Sequence, residues 1–360
     1  SGGDETKQVC VLLKDKTLAV PLGIEGCPAW ILGNSGGKGY YRNEYRGDLL
    51  PRLLGATDRL TTSERVTLIR DLRAGVAAGL IPIGDVLALV PRFVDDKSRF
   101  VVEQGIGIAI GAREMVPPAL APNYGRFLAK VFGARARALG WEHKPADSDD
   151  VRLLREALVP AVAKWGRDKR LLKDATALAE KLLKKPDALD PSLRGQVLGA
   201  AALTGDKKLY ERYLRSLEAS SDAAWRRSVI EGLGWFEQAL VIDALNRVLE
   251  GKFNIIESFG IFDGGLSQRE TREAVFSGVL AGYDKLEKLM PRMYLPYMMR
   301  LAEWFCDAEH RDRMIAFFTP KLPDLPGGVK MMTETREAMD VCIAQRAQNT
   351  PGLEKFLAGY

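Results

Sequence analysis

Apolar and polar positions follow two different periods along this chain. Near the amino end, residues 8–22 (QVCVLLKDKTLAVPL) place two short β-branched and apolar runs around Lys14, Asp15 and Lys16. That pattern predicts a hairpin. Residues 29–32 and 40–43 extend it to three or four predicted strands, a sheet too thin to be stable alone. From Asp48 the period becomes helical. Thr61-Thr62-Ser63-Glu64 is a capping box, a hydroxyl acceptor answered by a glutamate three positions on. Leu68, Ile69, Leu72 and Val76 form one stripe behind it, and Gly79 suits the position just past a helix end.

Helices are then predicted over 84–94, 98–115 and 119–139, the last two parted by Pro117-Pro118. Acceptors and negative charge at 147–150 open another helix, whose stripe is Val151, Leu154, Leu158 and Val162 and which Pro160 should kink. Shorter helices follow at 168–184, 191–204, 206–219, 221–235 and 237–250. Asp190-Pro191 marks one start, and Gly205, Gly234 and Gly251 mark ends. Residues 252–267 interrupt the rhythm as a turn and short helix, before predicted helices at 268–288, 292–305, 307–319, 329–347 and 351–358. Helix pairs recurring every ~30–40 residues predict a HEAT- or armadillo-like α-superhelix behind a small partial β-sandwich. Met290, Met293, Met298, Met299, Met331, Met332 and Met339 are expected to fill irregular core space in the last helices.

Composition narrows the function classes. The 360 residues carry 46% apolar and 28% charged side chains, ordinary for a soluble globular protein. The net charge of +5 is spread along the chain, with no basic stripe of the kind that binds nucleic acid. No apolar run reaches the ~20 residues a membrane span needs. Cys10, Cys27, Cys306 and Cys342 show neither zinc-ribbon spacing nor a dense disulfide framework, and whether Cys10 and Cys27 meet is left open. Ser1-Gly2-Gly3 reads as a vector-derived remnant, and no targeting signal is present, so the compartment is undetermined.

Residues 30–45 (WILGNSGGKGYYRNEY) sit where the two periods meet. Gly36, Gly37 and Gly39 permit a tight turn, and Trp30, Tyr40, Tyr41 and Tyr45 offer apolar faces to pin a junction. With Asn34 and Arg42, this stretch resembles the exit of the β-sandwich in zinc aminopeptidases related to aminopeptidase N and the puromycin-sensitive aminopeptidase. Residues 60–79 resemble that family's first long helix, and 139–155 the bridge into the second half of its helical domain. The resemblance covers the chain from Trp30 to its end, more loosely after Gly251. It implies that residues 1–47 are the end of a β-sandwich whose other strands lie upstream. It also implies that 48–360 form the C-terminal helical domain, and that Arg42 is structural.

The family's chemistry needs H-E-x-x-H and a distant glutamate to hold zinc, and G-A-M-E-N to receive the free amino terminus. The chain has only two histidines, His143 and His310, and neither motif. Both histidines are expected to be ordinary hydrogen-bonded or surface residues. No catalytic or metal-ligating residue is therefore assigned, and the zinc belongs to the parent's catalytic domain. Gly-Gly-Lys within 33–39 lacks the flanks of a phosphate loop. The glycines of 105–111 lack the preceding strand of a dinucleotide site; small residues there suit close helix packing. No G-x-S-x-G supports a nucleophilic triad.

A binding role remains. In the resembling family the helical domain covers the catalytic chamber and meets the distal part of the peptide, so the implied partners are the parent's catalytic domain and peptide substrates. A peptide carboxylate calls for arginine. Arg269 and Arg272 in S-Q-R-E-T-R-E are the candidates, against a plainer reading as a solvated first turn paired with Glu270 and Glu273. The expected protein is thus a lid that is inactive alone, from an enzyme that removes N-terminal residues. The competing class is a self-standing helical-repeat scaffold for a protein partner, which a start codon near Asp4 would favour; an upstream H-E-x-x-H would favour the lid.

Overall fold

Thr61 opens a helix, as its capping box requires. Its hydroxyl accepts from the Glu64 amide and the Glu64 carboxylate accepts from the Thr61 amide at 2.8 Å. The computed structural model describes residues 6–360 and divides them after Leu80 into two compact units; Ser1–Gly3 and Asp4, on which expectations fell above, lie outside the described residues. The first unit holds α1 (Leu49–Gly55) and α2 (Thr62–Ala77), and Gly79 follows α2 with φ +73°.

The stretch 30–45 is a loop clasped to α2. The buried Asn34 amide spans it, accepting from the Gly39 amide at 2.8 Å and donating to the Gly39 carbonyl at 2.9 Å. Gly36 donates to Glu64 at 2.8 Å, and Asn43 donates to the buried Asp71 at 2.8 Å. Burial works to raise the Glu64 carboxyl, but the bonds from Gly36 and Thr61 hold it below its usual value. Gly37 has φ +66°, and a Cβ there would lie 2.8 Å from Thr67 Oγ1, so glycine alone permits this approach. Trp30 and Tyr45 are half-buried; the Tyr41 hydroxyl donates to the Gly33 carbonyl, and Tyr45 accepts from the Gly33 amide. Tyr40 and Arg42 are exposed.

The predicted strands are a correction. Among the described residues no strand ladder forms over 8–22, 29–32 or 40–43. The apolar side chains of Val9, Val11, Leu12, Leu13 and Leu18 remain exposed. A lone hairpin has too little buried area to outweigh its ordering entropy. Cys10 and Cys27 are both exposed and unpaired.

The second unit is helical throughout its regular structure. It begins with α3 (Ile83–Leu89), α4 (Arg99–Gly111), α5 (Ala121–Leu139) and α6 (Asp149–Lys164). Then come α7 (Lys169–Leu182), α8 (Pro191–Ala202), α9 (Lys207–Glu218), α10 (Ala223–Leu233) and α11 (Gln238–Leu249). Side-chain oxygens of Ser148, Asp168, Asp190, Asp206 and Asp222 cap five of these starts. Pro160 lies inside α6, which continues through it. The sequence 139–155 wraps a fully buried arginine: Arg155 donates to the Leu139 and Gly140 carbonyls and to Asp147 at 2.6 Å. These carbonyls and the Asp147 carboxylate offset much of the cost of burying the charge, although Arg155 Nη1 is left without a partner.

Alternate helices pack on one another in turn: α4 on α6, α6 on α8, α8 on α10, and α10 on α12 (Phe259–Ser267). The intervening helices α5, α7, α9 and α11 each pack against a member of this row. After α12 the expected helix 268–288 breaks at Gly282 into α13 (Arg269–Ala281) and α14 (Tyr283–Leu289). Residues Arg292–Trp304 form a 3-10 helix around Pro296, followed by α15 (Ala308–Phe318). Met290, Met298, Met299 and Met339 are core residues as expected, whereas Met293 is exposed.

The final two predicted helices are one, α16 (Gly328–Leu357), which passes through Pro351. Tertiary contacts offset the lost backbone bond. The buried Asn349 accepts from the Ile83 amide, and Gly352 meets Gly84 so closely that a Cβ on Gly84 would lie 2.5 Å from its carbonyl oxygen. Phe356 and Tyr360 pack edge-on against Phe127. The last helix therefore returns to the first helices of its unit. A disulfide, Cys306–Cys342, ties the turn before α15 to α16; nothing in the spacing had paired these two cysteines.

Candidate functional site

Two adjoining cavities open in the second unit. The first, of about 710 Å³, is lined by side chains of α6, α8, α10 and α12, among them Lys164, Gln196, Glu231 and Asp263. The second, of about 470 Å³, is lined by Arg113, Arg126, Arg167 and Arg269 with Tyr124 and Gln268. Lys164, Trp165 and Ser267 belong to both.

Glycines on α8 make room for the polar floor of the first cavity. A Cβ at Gly199 would lie 3.0 Å from Lys164 Nζ and 2.9 Å from Trp235, and one at Gly195 would collide with the Glu231 carboxylate. Into this slot Lys164, only 3% exposed, donates to Gln196 at 2.9 Å, and Gln196 donates onward to Glu231 at 2.6 Å. The ammonium stands 4.0 Å over the Trp235 ring, which lies 5.1 Å from Trp165. Burial pushes the ammonium down to about 8 against the opposing pull of Glu231. Burial also raises the Glu231 carboxyl, with Lys164 working against it and Asp263 adding to it. Asp263 is accessible to solvent, yet the protein around it raises its carboxyl too. This carboxylate stands exposed on the wall of the first cavity.

The second cavity backs onto a paired cluster. Glu114 accepts from Arg272 at 2.7 and 3.2 Å and from Arg113 Nε at 2.8 Å. Burial alone would raise its carboxyl, but the two guanidinium groups hold it below the ordinary range. Arg113 stacks 3.8 Å over Trp165. Arg269 lines the cavity while donating to the Arg113 and Val116 carbonyls, both at 2.7 Å. Arg272 is buried, donates to the Leu266 carbonyl, and does not line the cavity. Neither arginine uses Glu270 or Glu273 as its ion partner; Glu273 instead meets His310 and Arg313. The sequence missed Lys164, Glu231, Asp263 and Arg167. Gly195 and Gly199, four apart in α8, were the one local hint of an opened slot.

His310 stacks on Phe305 at 3.6 Å between Asp307 and Glu273, and His143 lies 3.4 Å from Asp190. Among the described residues no three His, Cys, Asp or Glu side chains come together as metal ligands. The family's zinc is not fitted by any cluster described here. No helix among them is long and apolar enough to cross a membrane.

Comparison with known proteins identifies the family. The ERAP1-like C-terminal domain matches residues 30–340. Aminopeptidase M1-B of Oryza sativa subsp. japonica is 22% identical over 340 residues, 89% of this chain and 39% of that protein. The puromycin-sensitive aminopeptidase of Caenorhabditis elegans is 24% identical over 216 residues, 58% of this chain and 23% of that protein. Aminopeptidase N of Lactobacillus helveticus is 21% identical over 317 residues, 85% of this chain and 37% of that protein. The chain thus spans less than two-fifths of the length of each. It belongs to the ERAP1-like C-terminal domain family and corresponds to a C-terminal region of an aminopeptidase of the aminopeptidase N and M1 kind.

Proposed function

We propose that this chain is the non-catalytic helical domain of a zinc aminopeptidase, covering the catalytic chamber and holding the distal end of the peptide. In this reading residues 48–360 are the α-superhelical domain and 1–47 the end of the sandwich. The exposed apolar run from Val9 to Leu18 is what a strand separated from its sheet presents. The parent's catalytic domain supplies the zinc, and this chain is inactive alone.

The observation that carries the reading is the cation-lined cavity between the start of α5, the end of α6 and the start of α13, in a chain of this family. Lys164 has donors beyond the one spent on Gln196, and Arg167 is exposed at the same cavity. With Arg269 they suit a peptide's terminal carboxylate, while Arg272 holds the wall from behind through Glu114.

The test is binding of short peptides to the purified chain, followed by calorimetry. Peptides with a free carboxylate should bind more tightly than their amides, and Arg167→Gln should shrink that difference. Equal binding of acid and amide forms would remove the assignment. Separately, the chain incubated with zinc and aminoacyl amides should show no turnover; activity that persists through purification and is lost to chelator would refute the lid.

A further inference from the structure

The two cavities have opposite character, although they share a wall. The second is ringed by guanidinium groups. The first has indole faces and carboxylates, and one of these, Asp263, makes no hydrogen bond or ion pair among the described residues. The other carboxylates at that cavity are engaged: Glu156 by Ser192, Glu257 by Arg226 and Glu231 by Gln196. Its cations are Lys164, already held by Gln196 and the Trp235 face, and Arg227, which is exposed. An unpaired carboxylate on a concave wall beside indole faces offers an entering cation a counter-ion that no group of the chain already occupies.

We propose that the first cavity receives a lysine or arginine side chain from one of the last two residues of the bound peptide, with Asp263 as its counter-ion. This rests on the proposal that the adjoining cavity holds the peptide's carboxylate. Lys164, Trp165 and Ser267 line both cavities, so a carboxylate in one places the neighbouring side chains at the mouth of the other. The aliphatic stem of a basic residue can lie along Trp165 and Trp235 while its charged head reaches the carboxylate. A metal ion is a poorer occupant, because no three ligating side chains converge there. Lys164 stays on the shared wall, where it faces the peptide's anionic end.

The experiment compares peptides that differ only at the end, titrated into the full chain and followed by tryptophan fluorescence. A peptide ending in lysine should bind about fivefold more tightly than its leucine counterpart, the scale of one partly desolvated ion pair. The glutamate counterpart should be weakest. Asp263→Asn should bring the lysine peptide down to the leucine value and leave the leucine peptide unchanged. Lysine moved several residues inward should lose its advantage.

Equal binding of lysine and leucine peptides, or a lysine preference that survives Asp263→Asn, overturns the inference. If amidation still weakens both peptides in that case, the carboxylate site stands without it. If amidation has no effect either, the parent reading falls too.

Discussion

Glu114 and Glu231 are both half-buried glutamates in the second unit, and their carboxyls shift in opposite directions. Glu114 lies between two arginines at hydrogen-bond distance and is held ionised. Glu231 reaches its nearest cation only through Gln196, so burial prevails over attraction, and Lys164 shifts toward its neutral form as well. Residue type does not decide between the two; contact does. A carboxylate in direct contact with a guanidinium is a structural tie. One separated from its cation by an amide, beside an open cavity, retains capacity for a ligand.

The largest expected effect tests the tie. Glu114→Ala leaves Arg272 buried without its counter-charge, at a cost of about 3 kcal/mol. Urea unfolding should show it as a lower midpoint; a loss within error would mean that Glu114 is no more than a surface partner. Next, Gly199→Ala crowds the open cluster without altering any charge. A Cβ meeting the rigid Trp235 ring and Lys164 Nζ should cost about 1–2 kcal/mol. A variant as stable as the parent would show that the slot was not required.

The third prediction uses pH. Lys164 titrates near 8 when folded, below its ordinary 10.5, so between these values the unfolded chain binds the extra proton. Its destabilising effect is complete below the folded value. Stability should therefore rise with pH from about 8 toward 9.5, by at most about 1.4 kcal/mol per pH unit for one proton. Lys164→Met should flatten that rise; an unchanged slope would place the proton elsewhere.

The smallest effect serves as a contrast. Glu273 is paired but exposed, and hydrogen bonds from Ser277, His310 and Arg313 outweigh burial to bring it to about 2. Its contribution is present above 4.5 and declines as pH falls toward 2. Solvent screening limits Glu273→Gln to about 0.5 kcal/mol at neutral pH. A loss as large as that of Glu114→Ala would erase the distinction between buried and exposed ties.

The sequence by itself determined the features that close within a few residues. Thr61 and Glu64 form their reciprocal bonds across three positions, and Asp190-Pro191 starts α8, because capping needs only local geometry. The missing H-E-x-x-H is likewise a matter of composition. The strands expected over 8–22 did not form, because a ladder needs partner backbone that no local pattern supplies. Tertiary structure alone decided the rest. Arg272 finds Glu114 across 158 positions, Lys164 and Glu231 meet through α8, Cys306 reaches Cys342, and α16 runs on through Pro351 against Gly84. Each depends on which helix the layered array brings alongside which, and that follows from the sum of its packing rather than from any short stretch.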